Sequence, residues 1–205
     1  MRNLVGNWGF APVYTYESPE WVTVNAARDA NLNGDSAGDR AIFNPAGARG
    51  TGTDVTTLLS TNNCSSLPSS QQSSCLAAHT VGYLAKSPNA QYIRTGLGAL
   101  SNLGRNTLVV VPTNNLDFAI YKDLNVTERM KFHIGAQVAN ILNHPQYIVG
   151  SDPGRGLGVN DVHSFNTTKD SYLSFVTPGN HNFNIPKTTF GSNARQMSLA
   201  AKFIF

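Results

Sequence analysis

Residues 129–138 read RMKFHIGAQV, and this stretch decides the fold. Successive side chains of a strand point to opposite faces, so alternate residues form two sets. The apolar set is Met130, Phe132, Ile134, Ala136 and Val138, and the other is Arg129, Lys131, His133, Gly135 and Gln137. The alternation predicts a strand with one face against an apolar medium and the other against water.

Three further segments alternate in the same way, at residues 8–16, 114–123 and 196–205. A short link at 125–128 joins the second and third of the four strands, whereas residues 17–112 and 144–194 form very long links. Short turns on one side and long loops on the other are typical of transmembrane barrels. No apolar run reaches the length of a membrane-spanning helix. The sequence therefore predicts an all-β, antiparallel transmembrane β-barrel segment of about four strands.

The long links carry few structural signals. Residues 76–86 are apolar enough at helical positions to predict a short helix that ends before Pro88. Gly154, Gly156 and Gly158, among several asparagines, predict an irregular segment.

Composition argues against several functional classes. Charged residues make up 13% of the chain, about half of the roughly 25% that is usual in soluble domains. The net charge is +3, and the basic residues are scattered along the sequence. They form no basic stripe that could follow a phosphate backbone, so no nucleic-acid partner is expected. There is no nucleophile elbow, no phosphate-binding loop with its lysine and no zinc-type histidine spacing. We therefore expect that the protein is not an enzyme.

One acidic loop has the spacing of a calcium site. Oxygen-bearing side chains alternate and a glycine, Gly34, follows them, as in the first half of an EF-hand loop. Arg40 then occupies the position where that loop requires glutamate. A Ca²⁺ site and an Asx-rich turn that holds no metal both remain open. The candidate ligands are Asp29, Asn31, Asn33, Asp35 and Asp39.

Cys64 and Cys75 bracket a short polar segment rich in serine. An isolated pair that closes such a loop favours a disulfide, and hence an oxidising compartment, over a metal site. Two free thiols are the alternative.

Aromatic residues near the strand ends predict two interfacial girdles. The alternative is a soluble sandwich that packs these rings in its core. One girdle would contain Trp8, Phe10, Phe203 and Phe205, and the other Tyr14, Tyr16 and Trp21.

Taken together and in order, several motifs resemble the Oar-like TonB-dependent receptors, and the resemblance covers nearly the whole chain. They are DANLNGD at 29–35 with Asp39-Arg40 and Asn44-Pro45, GRNT at 104–107, NLDF at 115–118 with Lys122, TER at 127–129, NILNHPQY at 140–147, and the end from Phe190-Gly191 through Arg195-Gln196 to KFIF at 202–205.

The resemblance implies an outer-membrane barrel of about 22 strands, of which residues 1–205 would supply the last four, without the plug or the N-terminal domains. Family members are thought to import nutrients, driven by an inner-membrane motor that pulls on the plug. Because four strands cannot close, the implied piece is a fragment that is not competent for transport alone. Its implied partners are the lipid bilayer, the remaining strands and plug, the barrel assembly machinery and an unknown nutrient.

The resemblance also implies sidedness. The C-terminus and the turn at 125–128 would be periplasmic, and both long loops would be extracellular. Phe203 and Phe205 would form the signal that the assembly machinery reads. The lumen-facing residues would be Asp117, Arg129, Lys131, His133, Gln137 and Lys202. The leading hypothesis is an outer-membrane receptor component, and the alternative is a soluble or surface-attached β-rich binding or adhesion module.

Overall fold

The computed structural model describes residues 5–35, 38–60, 63–147, 172–189 and 193–205. Strands dominate these residues, and no helix among them is long and apolar enough to cross a membrane. In chain order the strands are β1 (Trp8–Glu17), β2 (Trp21–Val22), β3 (Ile42–Phe43), β4 (Ala48–Thr53), β5 (Val55–Leu59), β6 (Thr80–Ala85), β7 (Ala90–Ile93), β8 (Leu108–Val109), β9 (Thr113–Asn125), β10 (Lys131–Ala139) and β11 (Gln196–Ile204), and the helices are α1 (Ser69–His79), α2 (Tyr172–Val176) and α3 (Pro186–Thr189).

The chain divides into two compact units. The sheet unit comprises Met1–Pro19, Val111–Ile148 and Gly191–Phe205, and the inserted unit comprises Glu20–Val110 and Val149–Phe190. In the chain, the inserted unit therefore fills the connection between β1 and β9 and most of the connection between β10 and β11.

The sheet unit is one antiparallel sheet in the order β1-β9-β10-β11. Its strands have 9 to 13 residues, close to the about 9–11 residues that cross a bilayer when tilted. A turn links β9 to β10, where Val126 N–H donates to Met130 O at 3.0 Å and Met130 N–H donates to Thr127 Oγ1 at 3.1 Å. The prediction of four antiparallel strands with a tight turn between the second and third is confirmed.

The inserted unit shows that the first long link, predicted as a long loop with one short helix, contains folded structure. Residues 20–110 form small sheets: β2 pairs with β8, β5 pairs with β6, and β7 lies between β3 and β4. The β4–β7 pairing is parallel and contains a register shift between Ala48 and Gly52. The unit has its own core, built from side chains that include Val24, Val110 and Phe175. Apolar burial, rather than loop closure alone, holds these residues together.

The predicted helix at 76–86 is wrong in its position. Helix α1 ends at His79, and Thr80–Ala85 form strand β6, which pairs with β5. Thr80, Val81 and Tyr83 are residue types that fit a strand better than a helix, which accounts for the change. The segment around Gly154, Gly156 and Gly158 lies outside the described residues.

A disulfide joins Cys64 to Cys75, with Cα atoms 5.6 Å apart. Cys64 lies in a short 3₁₀ turn and is buried, and Cys75 lies on α1. The bond joins residues that are 11 positions apart in the sequence. It therefore restricts the conformations of this segment in the unfolded chain.

An ion cluster centres on Asp54 in the inserted unit. Its carboxylate lies 3.4 Å from Arg28, 3.8 Å from Lys86 and 3.9 Å from Arg94. Arg94 Nε also donates to Ala26 O at 2.7 Å. Burial and the neighbouring Arg28 lower the pKa of Arg94, and Asp54 partly opposes that shift. Asp54 thus supplies the counter-charge for three cations.

Candidate functional site

One face of the four-stranded sheet is apolar across its width. In an antiparallel pair, directly opposite residues share a face, so the register fixes the set. Phe118 lies opposite Pro12 and Val138, and Ile120 lies opposite Phe10 and Ala136. The face contains Trp8, Phe10, Pro12, Tyr14 and Tyr16 of β1, Leu116, Phe118, Ile120, Lys122 and Leu124 of β9, Phe132, Ile134, Ala136 and Val138 of β10, and Met197, Leu199, Ala201 and Phe203 of β11.

This apolar face is exposed rather than packed in a core. Phe10 is 62% exposed, Met197 is 71% exposed and Leu199 is 84% exposed. In the described part of the chain, the fully buried apolar side chains belong to the inserted unit and none to the sheet unit. A soluble sandwich would bury this face, so the arrangement fits a sheet that an apolar medium covers.

Lys122 is the one cation on the apolar face, within the described strands. It lies opposite Trp8 and Ile134 and is only 8% exposed. Its Nζ atom lies 4.8 Å from the centre of the Trp8 ring and donates to the Gly6 carbonyl oxygen. The ring and the carbonyl together compensate the ammonium charge. Trp8 and Lys122 therefore form a polar anchor near the end of the face that carries Phe203.

Some of the residues predicted for the two aromatic girdles lie at opposite ends of the sheet. Trp8 and Phe203 lie toward the same end of the sheet, and Tyr14 and Tyr16 lie toward the other end. Trp21 is not in the sheet, because it belongs to β2 of the inserted unit. Phe205 directly follows β11, is 92% exposed, and its ring centre lies 6.2 Å from that of Phe203. The proposed assembly signal of Phe203 and Phe205 is thus accessible.

The opposite face carries most of the residues predicted to face a lumen. His133 lies opposite Lys202 on β11, and Gln137 lies opposite Ser198. Lys131, at the start of β10, lies opposite Asn125 on β9 and shares this face. Arg129 departs from the prediction, because it lies in the turn before β10, where the chain no longer alternates. The alternation of residues 129–138 overestimated the strand by two residues at its start.

Asp117 also lies on the polar face, but its carboxylate is occupied. Its Oδ1 atom accepts hydrogen bonds from Asn115 Nδ2 at 3.0 Å and from the Asn140 backbone N–H at 2.8 Å. Asp117 thus ties β9 to Asn140, the residue that directly follows β10. This is a positioning role rather than a free charge at a lumen surface.

An amide network lies at the same end of the sheet, where both long connections leave. Asn140 is buried, has a φ of 51°, and its side chain donates to the carbonyls of His144 and Asn193. Gln146 accepts from Asn114 N–H and donates to Asn114 O, both at 2.5 Å. The network satisfies backbone groups that the sheet leaves unpaired at this end. The NILNHPQY motif therefore has a structural role.

The polar face also carries a cluster of His133, Asp123 and Tyr121 that no local sequence pattern predicts. His133 Nδ1 lies 2.6 Å from Asp123 Oδ1, and the His133 ring stacks on Tyr121 with centres 5.5 Å apart. The Tyr121 ring also covers Gly9, where an added Cβ would lie 1.9 Å from a ring carbon. A side chain at position 9 would therefore have to displace the Tyr121 ring. Only the cross-strand register, which places Asp123 opposite His133, brings these residues together.

The side chains of the acidic loop accept hydrogen bonds from backbone N–H groups of the same loop. Asp29 accepts from Asn33 N–H at 3.0 Å and from Gly34 N–H at 2.8 Å, and Gly34 has a φ of 88°. Asn31 and Asn33 accept from amides two residues further on, and Asp39 accepts from Ala30 N–H at 2.6 Å. This is the geometry of the Asx-rich alternative. In the described residues no three His, Cys, Asp or Glu side chains cluster as metal ligands would.

Calcium binding remains a prediction with a direct test. Asp29 is half-buried. Its carboxylate oxygens each have further lone pairs, so they could bind a cation while they keep the hydrogen bonds from Asn33 and Gly34. We expect calorimetric titration with Ca²⁺ to give heat with the unaltered chain and none with an Asp29→Ala, Asp35→Ala double variant. Asp161→Ala is the control, because it changes a carboxylate elsewhere in the chain. Asp54→Ala is unsuitable because it unbalances an ion cluster. The absence of heat from the unaltered chain would contradict the prediction.

Comparison with known proteins agrees with this geometry. Residues 1–197 match a family model described as an outer membrane beta barrel domain. No curated protein and no solved structure gives a significant match. The family match covers nearly the whole chain, including strands β1, β9 and β10. The protein is therefore located in the outer membrane and associates with its lipid bilayer. The chain belongs to the family of outer membrane β-barrel domains.

Proposed function

We propose that the chain is a component of an outer-membrane receptor of the TonB-dependent, Oar-like type, in which the sheet unit forms part of the barrel wall and the inserted unit meets the substrate outside the cell. One observation carries the proposal. The sheet unit is a two-faced sheet with no buried core, whereas the inserted unit has a core of its own. Such a division suits a wall held by lipid and a folded domain held by its own packing.

The sheet edges support a larger barrel. β1 and β11 each pair with one neighbour among the described strands, so each leaves a row of backbone groups without a ladder partner. Within hydrocarbon, each unsatisfied group costs several kcal/mol. Further strands that pair with β1 and β11 would remove this cost. The chain alone is thus proposed to be incompetent for transport.

The polar face would then line the barrel interior. It carries Lys131, His133, Gln137 and Lys202, with Asp123 paired to His133. These groups would contact water or a plug, and they would bind and orient rather than react. Catalysis has no part in the proposed role.

Site-specific cross-linking in native outer membranes tests the proposal. Thr15 of β1 and Ser198 of β11 are exposed positions on the polar face of the two edge strands. The native cysteines form a disulfide, so a single Thr15→Cys or Ser198→Cys provides a unique thiol. We expect each to cross-link to another alternating strand or to a plug segment, identified by mass spectrometry of the joined peptides.

Two results would count against the receptor. Links only between copies of the same chain would indicate a homo-oligomeric barrel without a plug. A monodisperse product without detergent, with no cross-links, would contradict the membrane wall itself. Thr56→Cys, on an exposed position of the inserted unit, is the matched control and should give no link to a barrel strand.

A second candidate function is a membrane-anchored binding or adhesion module. The separate core of the inserted unit favours it, because such a unit could bind a surface without any transport. Ligand uptake that depends on the inner-membrane motor separates the two, since only the receptor requires it.

A further inference from the structure

The inserted unit contains a cavity of about 650 Å³, and Trp21 is the one residue of its lining that the sequence had assigned to another role, a membrane girdle. This volume lies within the roughly 300–1,000 Å³ of small-molecule sites. The lining comes from the β2–β8 pair, from the β3-β7-β4 sheet and from Asn184 near α3. The residues that carry the argument are Trp21, Phe43, Arg49, Gln91, Tyr92 and Asn184.

Aromatic rings form one side of the cavity. Tyr92 is buried, its hydroxyl donates to Thr107 O at 2.8 Å, and its ring lies 6.0 Å from that of Phe43. Trp21 contrasts with them because it is 56% exposed and yet lines the cavity. An exposed indole presents a flat, electron-rich face, on which the weakly positive C–H groups of a sugar ring can stack. The folded state gains little from leaving this ring exposed, so a ligand platform accounts for its position.

Two amide side chains are held at the cavity by one glycine. Gly50 N–H donates to Gln91 Oε1 at 2.7 Å, and Gly50 O accepts from Asn184 Nδ2 at 2.9 Å. The Gln91 NH₂ group and the Asn184 Oδ1 atom have no partner among the residues the structure describes. Gly50 has a φ of 72°, and an added Cβ would lie 2.8 Å from Asn184 Nδ2. The glycine therefore orients one spare donor and one spare acceptor, as neighbouring hydroxyl groups require.

Arg49 adds a single charge. Its side chain is exposed at the cavity, and within the described ranges it forms no ion pair. No acidic or lysine side chain lines the cavity with it. A guanidinium with no protein counter-charge is suited to a carboxylate of a ligand, which it can bind through two parallel hydrogen bonds.

From these contacts we infer that the cavity binds a saccharide that carries a carboxylate, such as an oligosaccharide with a uronic acid unit. Trp21 stacks on one sugar ring, Gln91 and Asn184 bond to hydroxyl groups, and Arg49 pairs with the carboxylate. This inference deepens the proposed receptor function and rests on it for the position of the cavity outside the cell.

A panel of immobilised oligosaccharides tests the inference with the full chain in detergent micelles. The panel contains neutral members and otherwise similar members with uronic acid units. We expect binding to be confined to the acidic members. Trp21→Ala should weaken it by at least about tenfold, and Arg49→Gln should weaken it by about 10- to 100-fold, as expected for lost charge-assisted hydrogen bonds.

Matched controls separate contact from general charge and folding. Arg105→Gln removes an exposed arginine that does not line the cavity, and Leu100→Ala truncates an apolar side chain that is 81% exposed. Both should bind as the unaltered chain does. Gly50→Ala should weaken binding while the disulfide and circular dichroism spectrum are retained, since it displaces Asn184.

The inference is overturned if no panel member binds, if only neutral members bind, or if Trp21→Ala and Arg49→Gln bind like their controls. Its failure is distinct from that of the receptor. Saccharide binding without cross-links to barrel strands or a plug would leave the cavity assigned and reject the receptor. Those cross-links without saccharide binding would do the reverse.

Discussion

Replacing Ala136 by arginine is expected to cost about 2–4 kcal/mol of stability in the membrane, the penalty for arginine near the middle of a lipid-facing strand. Ala136 lies between Ile120 and Leu199 on the apolar face, away from the ends of β10. The new guanidinium would have neither water nor a carboxylate within that face. We expect the fraction of protein that resists urea extraction from isolated outer membranes to fall sharply.

The neighbouring residue is the control. Gln137 is exposed and lies on the polar face, so Gln137→Arg should be extracted like the unaltered chain. Nitroxide labels at the two positions give a reading that does not depend on stability. A label at 136 should be accessible to oxygen dissolved in lipid, and a label at 137 to a water-soluble nickel chelate. Equal accessibility at both positions would refute the two-faced sheet in the membrane.

The four strands of this sheet could be predicted because their faces meet different media. Period-two alternation is then a strong local signal, as in residues 129–138. The tight turn at 126–130 also fixes the register of β9 against β10, and hence which side chains share a face. The face of the sheet on which Phe132, Ile134 and Val138 lie could therefore be predicted from the sequence alone. Pairs of interacting side chains on the polar face, such as Asp123 and His133, could not be predicted without knowledge of the strand register.

The inserted unit was missed because its signals are short or non-local. Several of its strands have only two residues, and β4 pairs with β7 in parallel across a register shift. One local signal was present: Val22, Val24 and Ala26 alternate and are all buried. Their partners are distant, since Asn25 N–H donates to Val176 O at 3.0 Å. No pattern within one segment reveals such a pairing.

The cavity and the acidic loop illustrate the same limit in two ways. Trp21 was assigned to a membrane girdle because its residue type is common there, but its strand belongs to the inserted unit. The spacing of Asp29, Asn31 and Asn33 left an Asx-rich turn and a Ca²⁺ site open, and in the structure those side chains bond to nearby amides. Whether a cation joins them depends on affinity, which spacing does not determine.

Truncation of Phe175 to alanine is expected to destabilise the inserted unit by about 3–5 kcal/mol and to leave the sheet unit in place. Phe175 is fully buried, and its carbonyl oxygen accepts from Asn184 N–H at 3.0 Å. The ring therefore belongs to the core of the inserted unit, and the backbone bond ties Phe175 to Asn184. Removing the ring leaves a cavity in the core, which a small unit cannot fill without losing other contacts.

The measurement requires one reporter for each unit. In a Trp8→Phe background, Trp21 is the only tryptophan and reports unfolding of the inserted unit in urea. Resistance to extraction from the membrane reports the sheet unit. We expect Phe175→Ala to lower the stability of the inserted unit that Trp21 reports and to leave the resistance to extraction unchanged. Leu100→Ala, at an exposed position, should change stability by less than about 0.5 kcal/mol. If both readings fell together in Phe175→Ala, the two units would unfold as one, and lipid could not be the main support of the sheet. Independent loss of the inserted unit would instead mean that its core and the membrane stabilise separate parts of one chain.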